Sequence, residues 1–196
     1  MIDRALLLLK EELESYLSIT DAAATVVIDN IGLFETAAGT QLPDNIVLTL
    51  VNLEEESTLK NNTPLKKGNS SAVYQNPPVF LNLYVLFVCN YGGSKYIDAL
   101  KRLSYVIQFV QGKSSFHYAS DTGSLPPGED VLDMKFTLEL YTLTFEQINH
   151  LWGSLGGRQM PFVMYKLRLI ALTSNNRLRE VPLIEEIENN NAPINR

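Results

Sequence analysis

The 196-residue chain holds one cysteine, Cys89, two histidines and one tryptophan. A lone thiol forms no disulfide within the chain, and its place in an apolar run reads as a small core hydrophobe. Basic charge is short as well: 16 Lys and Arg face 22 Asp and Glu, a net charge of −6. Nucleic acid needs a basic face, so it is not an expected partner. No stretch reaches the ~18 apolar residues that a membrane helix requires. The apolar run Ala5 to Leu9 is short and is followed at once by Lys10-Glu11-Glu12, so no signal peptide is read there. The expectation is a protein made and folded in the cytoplasm, without a membrane partner. Hydrophobic content of 45% is ordinary for a globular protein, and the length suits one domain with appended arms.

Asn76 to Gln111 organises the chain. Pro77-Pro78 cannot donate ladder hydrogen bonds and belong at the start of an element. Val79 to Cys89 follows, almost wholly apolar, with Asn82 as the one polar side chain. Such a run reads as a strand buried on most of both faces. Asn90-Tyr91-Gly92-Gly93 breaks it, and Ser94 is placed to cap a helix. The spacing of Tyr96, Ala99, Leu100, Leu103, Ile107 and Val110 predicts one apolar stripe on that helix, with Gly112 as its C-terminal cap.

Before this unit, Ile2 to Ser18 reads as an amphipathic helix with Ile2, Leu6, Leu9, Leu13, Tyr16 and Leu17 inward. Thr25 to Ile28 is a short strand and Ile46 to Leu53 a strong one. Lys60 to Asn76 is polar and reads as a loop or an arm. After it, Phe116 to Tyr118 is a brief strand candidate and Ser120 to Asp130 a long loop. Met134 to Leu143 alternates, with Met134, Phe136, Leu138, Leu140 and Thr142 on the inner face. Thr144 and Gln147 form a capping box. The helix it opens carries Phe145, Ile148, Leu151, Trp152 and Leu155 and stops at Gly156-Gly157. Phe162 to Leu172 is the last strong strand, and Val181 to Ile184 is a short strand candidate in an acidic, Asn-rich tail. The fold class expected is α+β (α/β-like): one domain with a mixed sheet of four or five strands, about three helices over it, and extended loops or arms.

Residues capable of chemistry are few and scattered. His117 and His150 lack a second ligand at metal spacing, so ordinary hydrogen-bonded side chains outweigh a metal site. Ser154 has Trp152, not glycine, two residues before it and sits at a helix end, unlike a nucleophile elbow. Gly92-Gly93-Ser94-Lys95 joins a strand to a helix N-terminus, where a phosphate can bind. Its Ser-Lys order and short loop favour a tight turn over a phosphate loop. Glu54-Glu55-Glu56 reads as a solvated strand end, because acid–base work needs carboxylates in opposed environments. Lys166 and Arg168 share one strand face and either pair with acidic groups of a neighbour or are solvated. No catalytic, metal or cofactor-binding residue is assigned and no cofactor is expected. The chain reads as a binding or structural protein.

Three segments carry a family resemblance. They are Asn76-Pro77-Pro78-Val79 through Phe87, then Tyr96 to Gln111, then Leu151-Trp152-Gly153-Ser154-Leu155-Gly156-Gly157 running through Pro161 to Ile170. In this order they resemble the cap, or tail-terminator, family of phage-tail-like extracellular contractile injection systems. The likeness runs from the first helix to about Thr173. It implies a hexameric ring on the distal end of inner tube and sheath, which ends polymerisation and holds the particle extended. The partners it implies are inner tube and sheath proteins. The implied location is the cytoplasm during assembly, then a particle that can leave the cell. It implies a terminator-like domain over residues 1–173 and a C-terminal arm over 174–196. Some relatives carry a further C-terminal region, and the family offers no catalytic residues to transfer. Two other functions stay open at this point: an adaptor of the same particle that does not terminate, and a nucleotide-binding accessory factor using Gly92 to Lys95.

Overall fold

A computed structural model describes residues 2–36, 39, 42–56, 65–67, 71–75, 79–119, 133–172 and 177–182. Among the described residues there are three α-helices: α1 (Ile2–Thr20), α2 (Tyr96–Gly112) and α3 (Phe145–Ser154). The strands are β1 (Val26–Ile28), β2 (Asn45–Glu55), β3 (Leu65–Lys67), β4 (Ser71–Gln75), β5 (Val79–Asn90), β6 (Ser115–Ala119), β7 (Asp133–Leu140), β8 (Phe162–Leu172) and β9 (Arg177–Pro182). Six of them form one sheet in the order β1-β2-β5-β8-β7-β6. Only the β1–β2 pair is parallel. The expected α+β class holds, but the sheet has six strands rather than four or five. The two brief strands supply the difference by pairing at its edges, where a longer neighbour holds segments too short to stand alone.

β5 is central, as its unbroken apolar run predicted. Its alternation sends Leu83, Val85, Phe87 and Cys89 to one face and Tyr84, Leu86 and Val88 to the other. The first face packs under α1 and α2, with Leu9, Leu13 and Leu17 of α1 and Val106, Phe109 and Val110 of α2 buried against it. Each such leucine stabilises the fold by about 1.5–3 kcal/mol. The second face packs under α3 and the segment that carries Ile31 and Leu42. α1 and α2 are tied together by the Arg102 Nε–Asp21 Oδ2 ion pair at 3.0 Å and by Tyr16 against Phe109.

Local signals fared unevenly. The capping box of α3 is present: Thr144 Oγ1 accepts from the Gln147 N–H and Gln147 Oε1 accepts from the Thr144 N–H. The helix stops at Gly156 and Gly157, whose φ values of +106° and +83° are open to glycine at little cost. Ser94 does not cap α2. Gly93–Lys95 form a 3-10 turn, Lys95 holds the cap position, and no side chain bonds there. Gly112 is the last residue of α2, and the cap is Lys113 in extended conformation rather than a left-handed glycine.

The expected stripe of α2 is also corrected: Ala99, Val106, Phe109 and Val110 are buried, while Tyr96, Leu100 and Ile107 are exposed. The helix turns toward α1, and its burial centre rotates with it. Leu140 and Phe145 lie outside the core for a related reason, since both stand at the end of the element that was to bury them.

The largest departure is in the polar tract. Residues 65–67 and 71–75, read as part of a loop or arm, are the strands of a hairpin. With β9 they make a second, three-stranded sheet in the order β3-β4-β9. The tail strand lies at Arg177–Pro182, so Val181 is in it and Ile184 is outside the described residues. Residues 120–130 and the tail beyond Pro182 also lie outside them.

Candidate functional site

The second sheet follows the order of the three central strands of the first. β3 comes after β2 in the chain, β4 before β5 and β9 after β8, so β2-β5-β8 corresponds to β3-β4-β9. The β5–β8 ladder runs out to Val79 opposite Leu172, and the β4–β9 ladder begins with Gln75 opposite Arg177. In the sequence, Asn76-Pro77-Pro78 separate β4 from β5 and residues 173–176 separate β8 from β9, both outside the described residues. Among the described residues β3 and β9 pair only with β4, so each leaves one backbone edge without a partner strand. Free edges of this kind accept strands from other chains.

A polar cluster marks the end of the main sheet nearest this extension. Both long ladders are irregular there, β2–β5 between Leu50 and Asn52 and β5–β8 between Leu81 and Leu83. Asn82, the one polar residue of the central run, is buried, and its Nδ2 donates to Glu56 Oε2 at 2.9 Å. Arg168 lies between two carboxylates, with Glu56 at 3.7 Å and Glu139 at 3.3 Å. Tyr84 donates its hydroxyl to Glu54 Oε2 at 2.6 Å, stands edge-on to Tyr141, and carries Lys166 over its ring. Burial raises the Tyr84 phenol well above its ordinary value, and the Glu54 carboxylate adds to the rise. This hydroxyl therefore donates at every physiological pH.

The residues singled out from the sequence are not brought together into a reaction centre. Glu54 and Glu56 join Lys166 and Arg168 in the polar cluster, where Arg168 pairs with Glu56 and Glu139 of its own chain and Lys166 lies over the Tyr84 ring. Lys95 forms an ion pair with Asp44 at 2.5 Å, next to Gly93 at φ +61°. The Ser154 hydroxyl donates back to the Leu151 carbonyl at 2.7 Å, an ordinary helix-end bond. His117 lies on β6 and His150 on α3, on separate elements of the fold. Cys89 is buried on the central strand, and burial pushes its thiol up to about 12. Sequence reasoning missed the Asn82–Glu56–Arg168 group. The signal was present in Asn82, a lone amide in a buried strand, which needs partners.

Residues 6–186 match the family described as the Pvc16 N-terminal domain. The chain belongs to that family. The fold of this Pvc16 N-terminal domain is similar to two solved structures. One is the sheath/tube terminator of PVC, an extracellular contractile injection system, in its extended state, with a TM-score of 0.62 and 12% identity over 96% of this chain. The other is the tube-terminating cap of the anti-feeding prophage, with a TM-score of 0.64 and 13% identity over 96% of this chain. The Pvc16-like chain spans 62% and 60% of the length of those two proteins. No curated protein sequence matches it.

Proposed function

We propose that this protein is a structural cap of a contractile injection system and not an enzyme. It sits as a hexameric ring on the distal end of inner tube and sheath, ends their polymerisation and stabilises the extended particle. The observation that carries this reading is the Pvc16 N-terminal domain fold, shared over 96% of the chain with a sheath/tube terminator and a tube-terminating cap. The polar cluster supports a structural role, because its acids and bases neutralise one another in place.

The means of capping follows from strand edges. A growing tube or sheath presents surfaces and unpaired backbone at its last ring, and addition continues while subunits remain. A ring that occupies those edges and offers no equivalent one onward stops growth. On this reading residues 1–173 seat the ring, and residues 174–196 form an arm that completes the extension with β9. The protein assembles in the cytoplasm and leaves the cell, if at all, as part of the particle.

The test is particle length by electron microscopy after the protein is removed from the producing cell. Tubes and sheaths are expected to be abnormally long, unstable or prematurely contracted. Uniform, extended particles of normal length would overturn the assignment.

A further inference from the structure

The central strands change character at one level of the sheet. On β2, residues 46–49 are buried, 50 and 51 half-buried, and 52–55 exposed. On β5, Val79 is exposed, Phe80 and Leu81 are half-buried, and continuous burial begins at Asn82. The buried members of the two helix-covered clusters take β5 from Leu83 to Cys89. The ladders change at the same level. β2–β5 shifts register between Leu50 and Asn52, and β5–β8 between Leu81 and Leu83. The β7–β8 ladder ends with Thr137 opposite Arg168. Past that point β7 stays with the helices through Met134 and Phe136. β5 and β8 run on without it, paired with each other as far as Val79 opposite Leu172.

A row of side chains crosses the sheet at this branch. Glu56 directly follows β2, and its N–H donates to the Phe80 carbonyl of β5 at 2.8 Å. Its side chain is 10% exposed, and Oε2 accepts from Asn82 Nδ2 at 2.9 Å and faces Arg168 Nη2 at 3.7 Å. The other arm of the guanidinium, Nη1, reaches Glu139 of β7 at 3.3 Å. The ends of four neighbouring strands are thus tied through side chains where their backbone ladders are irregular or stop. Register irregularities cost ladder bonds, so cross-strand side-chain contacts count for more there. A planar guanidinium between carboxylates on two strands fixes their spacing as well as attracting them. Outward of the row, the described parts of β2 and β5 bury little apolar surface. Segments of that kind open at lower free energy than a core.

We propose that the row Glu56–Asn82–Arg168–Glu139 is a latch. It couples the outer ends of β2, β5 and β8, and with them β3-β4-β9, to the helix-covered core. Latched, the outer part keeps the direction of the main sheet. Released, it opens as a unit of its own while the core stays folded. The latch requires only the sheet itself and not the capping role.

Residue-resolved native-state hydrogen exchange of the full chain, over a series of low urea concentrations, tests this. In the wild type, amides of residues 71–75, 79–81 and 177–181 should exchange through an opening with a weaker urea dependence than those of residues 83–89, because less surface is exposed. One opening shared by both sets overturns the latch, since no separate unit then exists for it to hold. Arg168→Met keeps much of the apolar stem and removes both ion pairs. It should speed exchange of the outer amides by about tenfold and leave residues 83–89 unchanged. Outer amides that exchange as in the wild type overturn the latch. Equal acceleration of both sets also overturns it, because Arg168 then supports the whole fold rather than a joint within it.

Discussion

Trp152 anchors the smaller of the two core clusters. Only 3% of it is exposed, it meets Phe162 edge-on at 5.4 Å, and Ile148, Leu151 and Leu155 of the same helix surround the cluster. Truncation to alanine removes the largest side chain between α3 and the sheet, and Trp152→Ala should destabilise the domain by ~3–5 kcal/mol in urea unfolding. Normal stability with lost particle binding would make Trp152 an interface residue instead. Asp21 offers a test by pH. Its hydrogen bond from Arg102 holds the carboxyl below the usual carboxylate value, against the opposing cost of burial. A lowered folded value means that the charged form stabilises the native state. That contribution is complete above ~pH 4–5 and is lost as pH falls through the folded value. Asp21→Asn should therefore cost ~1–2 kcal/mol at pH 7, with the gap to wild type closing in acid. A gap that persists at pH 2 would assign the loss to packing.

The strands of the small sheet belong together, though they come from two places in the chain, the β3–β4 hairpin and β9. β9 gives β4 its second neighbour, pairing from Ser71 opposite Pro182 to Gln75 opposite Arg177. Truncation after Thr173 removes that neighbour and leaves a β3–β4 hairpin, and a two-stranded hairpin is marginal by itself. The six-stranded sheet and its three helices lie wholly before residue 173 and keep their pairing. The truncated protein should melt within a few degrees of the full chain and, under the proposed capping role, give a broad distribution of particle lengths by electron microscopy. Normal particles with the truncated chain would show that β9 is dispensable. Loss of the folded domain would show that the small sheet supports the main one.

At the scale of the whole molecule, a central sheet has two covered faces and several apolar or unpaired surfaces beyond them. The long strands give it a direction: helices lie over the middle, and the β3-β4-β9 extension continues from the far ends of β2, β5 and β8. The exposed flank of α2, the exposed Phe145 and the outer edges of the small sheet point to an existence in assemblies, where such surfaces are covered. A net charge of −6 opposes non-specific association of free copies of the chain.

The sequence by itself determined β5, α1 and α3, and the reason is physical in each case. An apolar run bounded by prolines and glycines, a heptad-like stripe of leucines and a capping box are patterns written in residues a few positions apart, so each element is legible even where its packing partners are distant. Tertiary structure decided whatever depends on distant partners. β3 and β4 lie in a polar tract without periodicity, and β4 sits as the middle strand between β3 beside it and β9, about a hundred residues later. Glu54 and Glu56 read as a solvated strand end, and Lys166 and Arg168 as paired or solvated, until the sheet aligns β2, β5 and β8 and brings Arg168 to Glu56 and the Tyr84 hydroxyl to Glu54. The apolar face of α2 is visible as a stripe, but which part of it meets the core depends on how α1 sits beside it. The surplus that remains exposed is where this protein has a surface to offer a partner.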